Sequence, residues 1–286
     1  MTAAVRIDVE AVLGREEVDV DLSQLLTPLL NETVLITGAI GSIGSAVTHE
    51  LGEHGHPNLW AFDIDGLDVT DRDAVRAAFQ AVRPTVVLHL AGAKHAPLGE
   101  IDPFDAMNVN AIGTQNVVDA ASEVHARVVT ASTCKACDPE TAYGASKLIA
   151  ERITLNAGGS VMRYYNVVET AGNVFEKWEK LPAEQGIPVV GECVRRFISL
   201  REAVACLFEV ASGSLEPGRY IPALALPRRM ARVAQDLYPL AMLNPMAPRR
   251  GDRLEEPFIA RSETAYPAGG RLVSRVTSPH DPEVAA

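Results

Sequence analysis

A short apolar run, Thr33-Val-Leu-Ile-Thr37, leads directly into Gly38-Ala-Ile-Gly41-Ser-Ile-Gly44 and then into a stretch with helical periodicity. Nothing else in the chain restricts its fold so tightly. Gly38 permits a tight turn, Gly41 lets the backbone approach a pyrophosphate, and Gly44 allows close packing of the helix that follows. The N-terminus of that helix faces the anion, so Ser42 and Ile43 belong with the three glycines in a dinucleotide-type loop. A purely structural glycine turn has no need of a strand before it and a helix after it.

From Thr33 onward apolar runs alternate with helical patterns, which predicts a parallel sheet covered on both faces. Strands are expected at Thr33–Thr37, Asn58–Asp63, Thr85–Leu90, Arg127–Ala131 and Ser160–Tyr164, with helices at Ile43–His54, Asp71–Val82, Pro103–Val124 and Thr141–Asn156. Beyond Gly186 proline becomes frequent, and short strands such as Ile187–Val190 mix with helices such as Ser199–Val210. The reading is an α/β fold: a Rossmann-type doubly wound parallel sheet with a small C-terminal substrate-binding lobe. Residues 1–30 form an extension, 31–186 the dinucleotide domain and 187–286 the lobe, the two interleaving at their boundary. The stretch from Ala268 has weak periodicity and is expected to be poorly ordered.

The second strand ends at Asp63, about 20 residues past the glycine loop, where a carboxylate meets adenosine ribose hydroxyls. That favours NAD over NADP. Asp68 is a second candidate on the adenine side, or simply part of the turn before Asp71. The short spacing from Asp63 to Asp71 predicts that the usual second helix is missing.

Tyr143 and Lys147 stand four apart in a helical stretch, so both project from one face. An ammonium beside a phenol favours the phenolate, which would let Tyr143 take a proton from a sugar or alcohol hydroxyl near neutral pH. Thr133-Cys134-Lys135 lies just upstream and adds a hydroxyl, a thiol and an amine.

A net charge of -11 argues against a nucleic-acid or anionic-membrane surface and leaves a small molecule as the expected partner. With no membrane-length apolar run and no signal peptide, the expected location is cytoplasmic. Cys134, Cys137, Cys193 and Cys206 are too few and scattered for a secreted disulfide framework. Cys134-x-x-Cys137 lacks the second ligand pair a zinc site wants, and no His spacing suits a metal, so no metal is expected. His54 and His56 flank a loop glycine and are expected to be solvated.

Several ordered motifs resemble the extended short-chain dehydrogenase/reductases that act on nucleotide sugars, in particular the polysaccharide-biosynthesis branch of nucleoside-diphosphate-sugar 4,6-dehydratases and epimerases. They are Ile7–Arg15, the glycine loop, His89-Leu-Ala-Gly-Ala-Lys94-His95-Ala-Pro97, Asn110–Thr114, Ser132–Ala136, the Tyr143 and Lys147 pair, Arg163-Tyr-Tyr-Asn166, Arg195–Ser199 and Arg249–Arg253. The resemblance implies that Thr133 binds the sugar 4-hydroxyl, that Tyr143 removes its proton, and that Lys147 holds the nicotinamide ribose. It implies Ala91 on the cofactor, and Lys94, His95, Asn166, Arg195 and Arg249 on the substrate, where guanidinium forks suit a diphosphate. Arg253 is the arginine expected in a surface salt bridge.

Oxidation at C4 acidifies the C5 hydrogen, after which a base removes it and an acid helps the C6 hydroxyl leave. The resembling dehydratases carry Asp-Lys after the threonine, whereas this chain carries Cys134-Lys135. The thiol, protonated at neutral pH, is the candidate acid, and Lys135, if its pKa is lowered, the candidate base. Dehydration with NAD, on a UDP-hexose or UDP-N-acetylhexosamine and leaving a 4-keto-6-deoxy sugar or a 5,6-alkene, is therefore placed ahead of C4 epimerisation or a silent nucleotide-sugar or NAD sensor. A simple NADPH-consuming reductase does not need the diphosphate-type residues. A homodimer is expected.

Overall fold

The computed structural model describes residues 7–94, 96–181, 186–248, 252–269 and 272–282. Five strands follow the sequence pattern: β1 (Val34–Thr37), β2 (Leu59–Phe62), β3 (Val86–His89), β4 (Arg127–Thr133) and β5 (Ser160–Tyr164). Eight more complete the described set: β6 (Asn166–Val167), β7 (Ile187–Val189), β8 (Val194–Ile198), β9 (Arg219–Pro222), β10 (Pro227–Arg229), β11 (Leu243–Pro245), β12 (Thr264–Pro267) and β13 (Val273–Thr277).

The main sheet has eight strands in the order β12-β13-β9-β5-β4-β3-β1-β2, parallel from β9 to β2 and antiparallel at β13 and β12. Its central strands β1, β3 and β5 are buried at every residue because both faces are covered. Val34 and Ile36 of β1 point into one core with Val47 and Leu51 of the helix Ser42–Glu53 and the apolar face of Leu200–Ala211. Leu35, between them, points into the opposite core with Val75 and Phe79 of Arg72–Val82 and Val117 of Gly113–Glu123. Each fully buried Val, Leu or Ile contributes about 1.5–3 kcal/mol.

From Asp63 the chain turns back within a few residues to Asp71, whose side chain caps the helix Arg72–Val82. No further helix or strand intervenes there, so β2 is the sheet edge and Trp60 is 49 % exposed. The helix expected over Pro103–Val124 is interrupted by a π-turn at Asn108–Ile112.

After β5 the chain leaves the sheet at Asn166 and pairs through β6 with β8, starting a three-stranded sheet β10-β8-β6 beside the two-stranded β11-β7. Phe175, Trp178, Phe197 and Val233 form the core of this smaller unit. Gly186 does not divide the main sheet: the helix Leu200–Ala211, opened by a capping box at Ser199 and Glu202, returns the chain to β9. Among the described residues beyond Ala268, Val273–Thr277 belong to the sheet, since β13 pairs along β9 with Val273 and Val276 buried. For that strand the expectation of poor order is corrected, a strand this short at the sheet end carrying too few residues for its periodicity to show; residues 270–271 and 283–286 of the same stretch lie outside the described residues. The N-terminal segment is part of both cores, with Val12 and Leu13 in the smaller one and Leu22, Leu26 and Leu29 in the larger. Among the described residues no helix is long and apolar enough to cross a membrane.

Candidate active site

A cavity of about 720 Å³ opens at the carboxyl ends of β1, β3, β4 and β5. It lies where β2 and β3 depart to opposite sides of β1, the position at which open α/β sheets bind ligands. The glycine loop is its floor. Gly38 has φ 74°, and a Cβ there would stand 2.5 Å from the Ala91 nitrogen; a Cβ on Gly44 would stand 2.1 Å from the Gly38 carbonyl. Gly41 caps the helix Ser42–Glu53 without a side chain to occupy the first-turn N–H groups, leaving that end suited to an anion. Gly38, Gly41, Ser42, Ile43 and Gly44 all line the cavity, as do Asp63, Asp68 and Ala91.

The two aspartates already have work. Asp63 accepts from the Ile40 N–H at 2.9 Å and so ties the loop to the end of β2. Asp68 accepts from the backbone and hydroxyl of Thr70, making the turn that sequence offered as its alternative role.

On the opposite wall the helix Ala142–Asn156, capped by Thr141, carries Tyr143, Lys147 and Glu151 along one buried face. Tyr143 and Lys147 line the cavity with Thr133, the last residue of β4. Burial raises the Tyr143 phenol, opposed by the Lys135 ammonium and a hydrogen bond with Thr133. This corrects the expectation that Lys147 lowers the phenol: the ammonium acting on Tyr143 is Lys135, and desolvation outweighs it. Burial brings Lys147 itself down to about 8, with Glu151 working in the other direction.

Asn110, without an assigned role in the sequence reading, sits in the π-turn and lines the cavity. Its amide bonds both the N–H and the carbonyl of Ala93 at 3.0 Å and donates to Ser146 at 2.9 Å, joining the β3 loop to the Tyr143 helix. Behind it His89 is wedged between Thr37 and Thr114, and burial lowers it to about 3, so it stays neutral.

The residues after Thr133 are placed differently from expectation. Lys135 lines the cavity, but its ammonium forms an ion pair with Glu256 at 2.8 Å, and that carboxylate carries it above the ordinary lysine range despite burial. The expected lowered pKa of a base is corrected: Lys135 is held as an ammonium. The Cys134 thiol points to the same carboxylate, with Sγ 3.5 Å from Glu256 Oε2, and burial pushes it up to about 11. It remains protonated, as an acid requires, but Cys134 is not among the described residues lining the cavity.

Glu256 had no sequence signal, because it reaches the site from the far end of the chain. Burial disfavours its charge, yet Lys135 and Arg195 hold the carboxyl down to about 2. Arg195 was expected on a diphosphate; its Nε is 3.4 Å from Glu256 and its Nη1 donates to the Val194 carbonyl. Asn166 lines the cavity and also donates to Glu256, at 3.0 Å. Lys94 lines the cavity with its ammonium on the Ala171 carbonyl. His95 and Arg249 lie outside the described residues. Arg253 pairs with Glu140, as expected of a surface bridge, and also donates to the Cys137 and Asp138 carbonyls. His54 is exposed, but His56 is buried with Nε2 on the Leu29 carbonyl, correcting its solvated reading. Among the described residues no group of His, Cys, Asp and Glu stands close enough to hold a metal.

Three similarities bear on this arrangement. The capsular polysaccharide biosynthesis protein CapD of Staphylococcus aureus is 27 % identical over 90 % of this chain and 50 % of its own length, so the chain spans about half of that relative. A UDP-N-acetylglucosamine 4,6-dehydratase (inverting) of Campylobacter jejuni is 29 % identical, over 82 % of this chain and 79 % of the relative. In fold, the chain resembles the Bordetella bronchiseptica enzyme WbmG, solved in complex with NAD and UDP, with a TM-score of 0.66, 21 % identity and coverage of 79 % and 85 %. The family described as polysaccharide biosynthesis protein matches residues 64–270, from the end of β2 to beyond β12, and the chain belongs to that family.

Proposed function

We propose that this chain is an NAD-dependent nucleotide-sugar dehydratase acting on a UDP-hexose or UDP-N-acetylhexosamine. The observation that carries the reading is the convergence of Thr133, Tyr143 and Lys147 on the cavity whose floor is the glycine loop. The loop suits the cofactor because neither Gly38 nor Gly44 has room for a Cβ, and backbone alone faces the helix end. NAD would be held by Gly38 to Gly44 with Asp63 at its ribose, and when bound supplies acceptance of a hydride from C4 and its return at C6.

The chain's own residues handle protons. Thr133 and Tyr143 meet the 4-hydroxyl, and Tyr143 takes its proton once the nearby Lys135 charge and a bound cofactor favour the phenolate. Lys135, held as an ammonium, is placed to protonate the departing C6 hydroxyl; the amine so formed takes the C5 proton and returns a solvent-exchanged proton to C5 as C6 is reduced. Asn166 and Lys94 bind the nucleotide side, and the unit built on β6 and β8 closes over the sugar. Four free cysteines, all buried, support a reducing, cytoplasmic setting. The reading includes a homodimer, for which Leu98, Ile101 and Phe104 offer exposed apolar surface.

A second reading, C4 epimerisation, is favoured by the thiol of Cys134 facing Glu256 instead of the cavity. Incubation with UDP-N-acetylhexosamines in deuterated water, followed by mass and proton spectra, separates the two. Loss of one water with deuterium at C5 is expected. Unchanged mass with inversion at C4 would move the assignment to an epimerase, and vinylic C6 protons would identify the 5,6-alkene.

A further inference from the structure

Glu256 is a buried carboxylate that does not itself line the cavity, yet it touches two residues that do. Lys135 Nζ lies 2.8 Å from it and the Asn166 amide 3.0 Å. The Cys134 thiol and Arg195 complete its surroundings, at 3.5 and 3.4 Å. The segment that carries it is strapped on both sides. Leu254 accepts from the Val194 N–H at 2.7 Å and Glu255 bridges to Val194, fixing the segment along the edge of β8. Arg253 reaches over to the Cys137 and Asp138 carbonyls, tying the same segment to the turn that follows Lys135. The carboxylate is the more enclosed member of the pair, 5 % exposed, whereas the lysine keeps 26 % of its side-chain surface exposed.

Resting on the nucleotide-sugar reading, the geometry points to Glu256 as a positioning residue that fixes Lys135 as an ammonium aimed into the cavity, so that the sugar meets a proton donor there and not an amine. Charge arithmetic supports this. Lys135 and Arg195 bring two positive charges, and without Glu256 their repulsion and the burial of the amine would both disfavour the ammonium. Tyr143 also lies within electrostatic reach of Lys135, so the same carboxylate governs, through Lys135, the charge felt by the phenol. Asn166 donates to Glu256 and accepts from Lys135 at 3.4 Å, which closes the triangle and orients the ammonium.

The test is the pH dependence of acetylation of Lys135 by acetic anhydride, followed on its peptide by mass spectrometry, with exposed Lys177 and Lys180 as internal references. In the unmodified chain Lys135 is expected to react at higher pH than the references. In Glu256→Gln its midpoint is expected to fall by at least about one pH unit, a rise of about tenfold in labelling at fixed pH while both forms remain mostly protonated. Glu256→Asp keeps the charge at a longer reach and is expected to shift it less; it also serves as the measurement if the glutamine variant does not fold. An unmoved Lys135 midpoint in a folded variant overturns the inference. Labelling needs neither cofactor nor sugar, so the two readings fail separately. A shifted midpoint with no nucleotide sugar turned over would remove the dehydratase reading alone, and turnover with an unshifted midpoint would remove this one alone.

Discussion

Two buried glutamates, Glu151 and Glu256, show the same chemistry put to different uses. Glu151 is fully buried and grips Arg163 through both carboxylate oxygens at 2.9 and 2.6 Å and Arg219 at 2.8 Å. Glu263 and Asp281 close the far side of these guanidiniums, at 2.7 Å from Arg163 and 3.0 Å from Arg219. None of these five residues lines the cavity, so the network chiefly ties the Tyr143 helix to β5 and β9, and reaches the site only through the charge that Glu151 supports on Lys147. Glu256 is as strongly held, but one of its partners, Lys135, opens onto the cavity. A buried ion pair becomes part of a site when one member retains a path to ligand; otherwise it fixes geometry. The difference is legible in exposure, since Arg163 is 1 % exposed and Lys135 26 %.

The helix Ala142–Asn156 joins these roles, with chemistry at its start and anchoring two turns later. Tyr143→Phe is the sharpest cut at the chemical end: turnover of a nucleotide sugar is expected to fall by about 10²- to 10⁴-fold with the melting temperature preserved. Activity within a few-fold of the unmodified chain would remove Tyr143 as the base.

Glu151→Gln probes the anchor. Leaving Arg163 and Arg219 short of a buried partner is expected to cost about 3–5 kcal/mol in denaturant unfolding. Glu256→Gln is expected to cost less, about 1–3 kcal/mol, because water reaches Lys135. Equal losses would break the distinction between the two carboxylates. The sign with pH follows because burial works against the Glu151 charge but Arg163 and Arg219 outweigh it and hold the carboxyl down to about 2, from an ordinary 4.5. Its contribution is fully present above the unfolded pKa and is lost as pH falls through the folded one. The gap between the unmodified chain and Glu151→Gln should therefore narrow from about pH 4.5 toward about pH 2.

The smallest expected effect lies between the two ends, at Lys147. Its ammonium is present below about pH 8 and lost above it, so turnover that depends on that charge should decline as pH rises through about 8. Glu151 supports the charge, so in a folded Glu151→Gln the decline should begin at lower pH. A decline that does not move would detach Lys147 from its anchor.

The sequence alone determined the parts that neighbours along the chain decide. A strand running into a turn that only glycine can make at Gly38, and a Tyr143 and Lys147 spacing of one helical turn, are local, and the structure places them on one cavity. The same logic could have reached Glu151, one further turn along that helix face. The positions of Asn110 and Glu256 were not accessible in this way. Asn110 depends on a π-turn that rotates its amide toward Ala93, and the apolar periodicity of the surrounding helix gives no sign of it. Glu256 stands 122 residues from Cys134 and meets it only because the chain, having passed through β9, β10 and β11, returns to lie beside Val194 of β8. The charge state of Lys135 followed that long-range placement. Its own neighbours in sequence offered a hydroxyl and a thiol, whereas the tertiary fold supplied the carboxylate, and in a buried site the nearest opposite charge decides which form survives.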